Sequence, residues 1–344
     1  MPKKKQKVFV AMSGGVDSSV AAALLKRDGF DVVGVYMKCW QEGEACTSQD
    51  DERSARLAAS HLGIPFYVWN FLREYKERVV DYMLKGYADG VTPNPDMMCN
   101  KEIKFGLFFE KARKLGADRV ATGHYARIQE GRLLEGKDKN KDQSYFLSFI
   151  KPEVLPYILF PIGEYAKPQV REFARKFGLP NAERKDSQGI CFVGKVDVSD
   201  FLKHYIAQRP GEIVDVAGHA LGTHEGVMYY TIGQRSGLGL SGGPYYVANK
   251  DLAQNRLVVT KDEQDLRRKD AVIRDMNWMS SQPEEPLEVT ARLRYRQDRF
   301  LAILVPGKDK DFRLVFQEPQ RAVTPGQFAV IYQDETLIGG GVIQ

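Results

Sequence analysis

Six consecutive residues, Ser13-Gly14-Gly15-Val16-Asp17-Ser18, combine two glycines, two serine hydroxyls and a carboxylate between an apolar, β-branched run at 7–12 and an Ala/Leu-rich segment at 17–28. In a strand-to-helix turn, glycines let the backbone approach a phosphate closely, the open N–H groups of the helix start point at it, and serines add donors. A carboxylate repels bare phosphate, so Asp17 makes chemical sense facing a divalent cation carried on the phosphates, Mg²⁺ being the usual one. The alternative is a tight turn in which Asp17 or Ser18 merely caps the helix. Two better-known phosphate motifs do not apply. No G-x-x-x-x-G-K-[ST] occurs, and the literal G-x-G-x-x-G at 237–242 runs into Gly243-Pro244 and a Tyr-Tyr-Val strand instead of a helix. The other reactive groups are four thiols, Cys39, Cys46, Cys99 and Cys191. In a reducing compartment they are free, metal-bound or catalytic. A zinc site on Cys39 and Cys46 would need two more ligands, and no histidine has a C-x₂-C or H-x₃-H partner nearby. Those two fit buried small residues better.

The elements around these groups are readable in outline. A strand at 7–12, a helix at 17–28 stopped by Gly29 and a strand at 31–37 form a βαβ unit, which implies a parallel sheet. Helical patterning at 54–62 and 74–87 flanks an aromatic-rich strand at 65–71. The stretch 89–99, with Pro93, Asn94 and Pro95, predicts an ordered loop or lid. A helix at 100–115, closed by Gly116, precedes a strand at 118–122 that ends in Gly123-His124. Segment 131–143 is polar and lysine-rich, and we expect it to be exposed. Short strands with glycine pairs follow from about 205. From about 271 the pattern is all β, with strands at 287–296, 299–305, 312–316, 327–332 and 336–343, as in a small barrel.

At 344 residues, and about 150 residues per domain, the chain has room for two or three domains with real cores. The expected fold is α/β: a doubly wound parallel sheet over 1–200, a small β-rich domain over 205–270 and a C-terminal β-barrel over 271–344. A ligand should then bind at the carboxyl ends of the parallel strands. The apolar runs fall far short of the roughly 18 residues that cross a bilayer. Lys3-Lys4-Lys5 is followed by an apolar run broken at Ser13-Gly14-Gly15, before a roughly 7-residue signal core can form, so we expect a cytoplasmic protein. Fifty basic against 45 acidic residues leave +5, which permits a polyanionic partner without requiring one.

Residues Ala11-Met12-Ser13-Gly14-Gly15-Val16-Asp17-Ser18 resemble the pyrophosphate loop of the N-type ATP pyrophosphatases, which split ATP into AMP and pyrophosphate to activate a carbonyl or carboxyl oxygen. Four further segments narrow the resemblance: 94–101 (NPDMMCNK), 121–127 (ATGHYAR), 141–147 (KDQSYFL) and 186–194 (DSQGICFVG). With the loop, they closely resemble the tRNA-specific 2-thiouridylases, which replace O2 of the wobble uridine, position 34, by sulfur. The likeness continues through Thr231-Ile232-Gly233-Gln234-Arg235 into the barrel. It implies ATP with Mg²⁺, bound at Ala11 to Ser18 with Met37 and Gly123 on the adenosine side. It also implies a persulfide on Cys191, Cys99 as its partner thiol in a transient disulfide, and Asp96 as a catalytic group. Asn94, Pro95 and Asp96 would meet the target base, and His124, Lys141, Asp142, Gln143, Arg294, Tyr295 and Gln327 the tRNA. The implied partners are the anticodon loop of Lys, Glu or Gln acceptors and a persulfide-carrying donor protein fed by a cysteine desulfurase, with the enzyme acting as a monomer.

The chemistry explains the thiols. A uracil C2 carbonyl does not expel oxide, so its oxygen must first join a good leaving group, and adenylation provides one. A persulfide brings sulfur with two transferable electrons, and a second thiol attacking the inner sulfur frees the outer one. Lys101 and Lys104 near Cys99, and Gly189 near Cys191, offer charge and backbone approach that favour thiolate over a thiol of ordinary pKa, about 8.5. Asp96 suits general acid or base work at the base edge, or holding the base by hydrogen bonds. Alternation of Arg292, Arg294 and Arg296 predicts a strand face of guanidinium groups suited to phosphate. Two other readings stand beside this one. An amide-forming pyrophosphatase with a small-molecule acceptor gives the two thiols no role, and a non-catalytic RNA-binding protein does not need the phosphate loop.

Overall fold

The computed structural model describes residues 5–41, 48–185 and 198–344. Within these, β1 (Lys7–Ala11), β2 (Asp31–Lys38), β3 (Phe66–Asn70), β4 (Arg119–Ala121) and β7 (Ile158–Leu159) form one parallel sheet in the order β3-β2-β1-β4-β7. Between β7 and β4 in sequence lies the hairpin of β5 (Ala126–Gln129) and β6 (Arg132–Glu135). Both faces of the sheet are covered, so β1 is apolar and buried from Val8 to Ala11. Val8, Val10 and Met12 pack on one side with the Val16–Arg27 helix, while Phe9 and Ala11 join Val33 and Val35 in the larger core on the other. The chain leaves β1 for β2 on one flank and returns to β4 on the other. That reversal opens a crevice at the carboxyl ends of β1 and β4, where such sheets bind ligands.

A second sheet holds β8 (Gly211–Asp215), β9 (Ala220–His224), β10 (Tyr246–Asp251) and β11 (Arg256–Thr260) over a small core of Ile213, Val247, Leu257 and Val259. The third is a closed antiparallel barrel of β12 (Arg267–Trp278), β13 (Leu287–Arg292), β14 (Phe300–Pro306), β15 (Phe312–Arg321), β16 (Phe328–Gln333) and β17 (Thr336–Ile343), sealed by pairing of β12 with β17. The expected fold class is therefore found: a doubly wound parallel sheet, a small β unit and a barrel. Among the described residues no helix is long and apolar enough to cross a membrane.

Three local expectations are corrected. The 89–99 loop ends early, because Asn94 caps a helix at Pro95–Met98 through Met97 N–H (3.1 Å) and the helical path continues to 114. Proline is at home in a first helical turn, where its missing N–H has no partner to lose. Cys99 accordingly sits in a helix, fully buried, rather than on a lid. Segment 131–143 is not simply exposed: β6 pairs with β17 at Leu134 and Thr336, and the carboxylates of Glu135 and Asp142 are buried. The arginine face does not form either. β13 stops at Arg292, whose side chain is buried, and 293–296 is a turn with Arg296 at φ 64°.

Candidate nucleotide and RNA site

At the end of β1 the chain turns through Gly14 at φ +82°, where a Cβ would stand 2.2 Å from the Asp51 carbonyl oxygen. The Gly14 carbonyl is pulled outward by three donors, Ser54 Oγ (2.7 Å), Asn181 Nδ2 (2.9 Å) and Arg184 Nη1 (3.1 Å). Ser18 Oγ accepts from Ser13 N–H (3.1 Å) and donates to the Gly15 carbonyl (3.1 Å), closing the loop on itself. Gly15 occupies the N-cap in extended conformation with no side-chain cap, so the first-turn amides of Val16–Arg27 stay open to an anion. Gly123, just past β4, lies against this helix start: a Cβ there would sit 2.6 Å from Ser18 N. Met12 and Met37 are buried beside the strand ends.

Two cations complete this end, and neither was flagged by sequence. Lys167 Nζ holds both oxygens of Asp17 (2.8 and 2.9 Å), and Tyr125 Oη donates to Asp17 Oδ1 (2.9 Å). Arg184 joins Asp51 (2.5 Å) while reaching Gly14. Both cations come from segments more than 140 residues beyond the loop, so no spacing rule marks them. The donor set fits a polyphosphate, with open amides, two cations and glycines where a Cβ would block approach. Asp17 is the carboxylate that would hold a divalent cation on it.

The thiol helix runs alongside. Asn100 donates Nδ2 to the Asp96 carbonyl (3.0 Å), while its Oδ1 is buried with no hydrogen-bond partner among the described residues. Lys101 turns to Glu102 (3.7 Å) and to the Phe149 ring. Phe105, on the same helical path as Cys99, packs against His124 with centroids 6.0 Å apart. His124 shares a hydrogen bond between Nδ1 and Thr122 Oγ1 (2.7 Å); burial foremost, then the charge of Lys104, holds its pKa well below the ordinary imidazole value, so it is neutral at pH 7.

The segment before Asn94 is held by the other two units. Thr92 N–H donates to the Pro325 carbonyl (2.9 Å), Thr92 Oγ1 to Thr231 Oγ1 (3.2 Å), and Gln327 Nε2 to the carbonyls of Thr92 (2.8 Å) and Pro93 (3.3 Å). Gln327 thus holds the two residues just before Asn94. Arg294 donates to the Arg321 carbonyl (2.6 Å), and Tyr295 packs on Phe146 at 4.5 Å between centroids. Asp142 faces inward: its carboxylate takes Gly136 N–H (2.9 Å), Ser144 Oγ (2.9 Å) and the Arg292 guanidinium (2.7 Å). Gln143 Oε1 accepts from Tyr125 N–H (3.1 Å), and Lys141 is half-exposed. Asp96 is half-buried beside Asn94 and Pro95. Cys39 is buried. Cys191, with its Asp186 to Gly194 motif, and Cys46 lie outside the described residues.

Comparison with known proteins decides the family. Residues 6–195 match the tRNA methyl transferase HUP domain, 199–261 the tRNA methyl transferase PRC-barrel domain and 268–343 the aminomethyltransferase beta-barrel domain. The tRNA-specific 2-thiouridylase MnmA of Geobacillus thermodenitrificans is 46% identical over 98% of this chain and 94% of its own. That of Alkaliphilus oremlandii is 45% identical over 99% and 97%. The chain belongs to the tRNA-specific 2-thiouridylase family. A third 2-thiouridylase, from Mannheimia succiniciproducens, is 46% identical over 99% of this chain and 92% of its own. Among solved structures, a 4-thiouridine synthetase–RNA complex with bound ATP shares 20% identity over 55% of this chain and 46% of its own, at a TM-score of 0.36. Every segment that the 2-thiouridylase resemblance rested on falls inside the matched span.

Proposed function

We propose that this chain uses ATP to replace O2 of the tRNA wobble uridine by sulfur. The observation that carries the reading is the position of β4's end. Gly123 touches the phosphate loop at Ser18, and the next residue, His124, packs on Phe105 of the helical path that carries Cys99. Nucleotide chemistry and thiol chemistry therefore meet across two adjacent residues.

In this reading the loop and the first-turn amides bind the phosphates of ATP, with Lys167 and Arg184 as counter-charges. Asp17 is the residue that would hold Mg²⁺, whose charge would neutralise the phosphates. The flipped uracil lies against Asn94, Pro95 and Asp96, and its O2 attacks the α-phosphorus, releasing pyrophosphate. The terminal sulfur of a Cys191 persulfide adds to C2, and AMP departs with the former O2. The Cys99 thiolate then attacks the inner sulfur, forming the Cys99–Cys191 disulfide and leaving sulfur on the base. A reductant resets both thiols. Arg294, Tyr295, Lys141 and Gln143 hold the RNA, while the buried His124 and Asp142, together with Gln327, act by positioning neighbours. The persulfide arrives from a donor protein.

The test is incubation with Mg²⁺, ATP, tRNA and a persulfide donor, followed by nucleoside analysis. We expect 2-thiouridine and AMP in equal amounts, and loss of both products' coupling in Cys99→Ser and Cys191→Ser. Full persulfide-dependent activity in Cys191→Ser would sink the transfer scheme. Affinity for tRNA should also fall as salt rises, by the release of counterions.

A further inference from the structure

The segment 136–143 anchors both groups that pin Asp17, and it is itself anchored to the barrel. Gln143 clasps Tyr125 at both backbone ends, accepting from Tyr125 N–H through Oε1 (3.1 Å) and donating N–H to the Tyr125 carbonyl (2.8 Å). Tyr125, 2% exposed, spans from there to Asp17 through its hydroxyl (2.9 Å). On the other arm, Asp138 Oδ2 accepts from Lys167 N–H (2.9 Å), at the start of the helix whose Nζ grips Asp17 and lies 5.9 Å from the Tyr125 ring centroid. Between these arms, Asp142 is locked to Arg292 at the end of β13 (2.7 Å). Any displacement of 136–143 against the barrel thus shifts Tyr125 and Lys167 together, and with them the carboxylate at the mouth of the phosphate loop.

We propose that Tyr125 and Lys167 are positioning residues that couple docking of RNA on the 141–143 and barrel side to the binding of Mg²⁺-nucleotide at Asp17. The inference rests on the function proposed above. As the structure stands, Lys167 occupies both Asp17 oxygens, which opposes a cation there. Engagement of RNA by Lys141 and Gln143 shifts 136–143, which re-aims Tyr125 and, through Asp138, draws the Lys167 amine back from the carboxylate. Because coupling between two ligands is reciprocal, nucleotide must strengthen RNA binding by the factor by which RNA strengthens nucleotide binding.

The experiment measures the dissociation constant of unmodified tRNA with and without Mg²⁺ and α,β-methylene-ATP, in the full-length protein and in Tyr125→Phe and Asp138→Asn. The coupling factor is the ratio of the two constants within each protein. We expect a factor of roughly 10 in the parent, within the usual range for linked sites. It should fall below about 2 in Tyr125→Phe, which keeps the ring and deletes only the hydroxyl, and to an intermediate value in Asp138→Asn. A parent protein that binds both ligands independently, or a Tyr125→Phe protein with the parent's coupling, overturns the proposal and leaves the function intact. A parent that binds neither ligand overturns the function and the proposal together.

Discussion

The loop at 13–18 and the side of the crevice that we propose meets RNA are built on different principles. The loop is mostly backbone: its shape comes from Gly14 and Gly15 with Gly123 packed against it, and its open main-chain amides belong to one continuous segment, with Lys167 and Arg184 added from far along the chain. The RNA side is side-chain carpentry from three units, with Thr92 tied to Pro325, Gln327 and Thr231, and Asp142 tied to Arg292. A backbone site leaves its constraint in local sequence, since a glycine is needed where a Cβ cannot go. A site assembled across domains leaves none, because each partner lies one or two hundred residues away.

The sharpest way to break the contrast is to cut the buried ionic knot behind the RNA side. Arg292→Met leaves the buried Asp142 without its cation and Glu135 with only Lys139 and Arg299, and should cost about 3–5 kcal/mol in urea unfolding. Nucleotide binding in the absence of tRNA should fall only in proportion to the folded fraction if the two regions are separable. Gly123→Ala probes the other region. A Cβ 2.6 Å from Ser18 N must move the helix start, and we expect a loss of roughly 100-fold in AMP formation, with tRNA affinity changed far less. If both fall equally, the division between backbone site and side-chain site is wrong. Gln327→Ala removes two hydrogen bonds to the Thr92 and Pro93 carbonyls, each worth about 1 kcal/mol, so thiolation should drop some 5- to 30-fold while tRNA-free ATP binding holds.

The smallest effects are those of pH. His124 is neutral when folded, with a depressed pKa, so its contribution to stability is present above the ordinary imidazole value near 6.5 and is lost as pH falls below it. The urea midpoint should decline between pH 7 and 5.5, and less so in His124→Asn. Glu335 behaves alike at lower pH. Hydrogen bonds from Lys139 and Arg127 hold it at about 2, so its contribution persists above about 4.5 and fades as pH approaches 2. Being half-exposed, it should matter little, and Glu335→Gln should shift the acid transition only slightly.

Residue patterning displayed the βαβ unit, the barrel strands at 300–306, 328–333 and 336–343, and the loop at 13–18, because alternation, apolar runs and glycine punctuation are local signals. β12 escaped notice: only Ala271 and Ile273 of its twelve residues are buried, so it carries little hydrophobic pattern. The Arg292 alternation misled because burial with Asp142 and Glu135 is invisible to a period-two rule. Lys167 and Arg184 went unseen since lysine and arginine are common, and only the fold says which ones face the loop.

The β5–β6 hairpin belongs by sequence to the first domain and by pairing to the barrel. During synthesis it emerges about 200 residues ahead of its partner β17, a wait of roughly 10–40 s at the usual pace of translation. Until then its outer edge is unpaired. β6 is only four residues long, with Arg132 and Glu135 at its two ends, so that edge is short and charged, which discourages pairing with neighbouring nascent chains. β17 is thus what seats the hairpin, so a chain released before Thr336 would expose this edge however well its parallel sheet had formed.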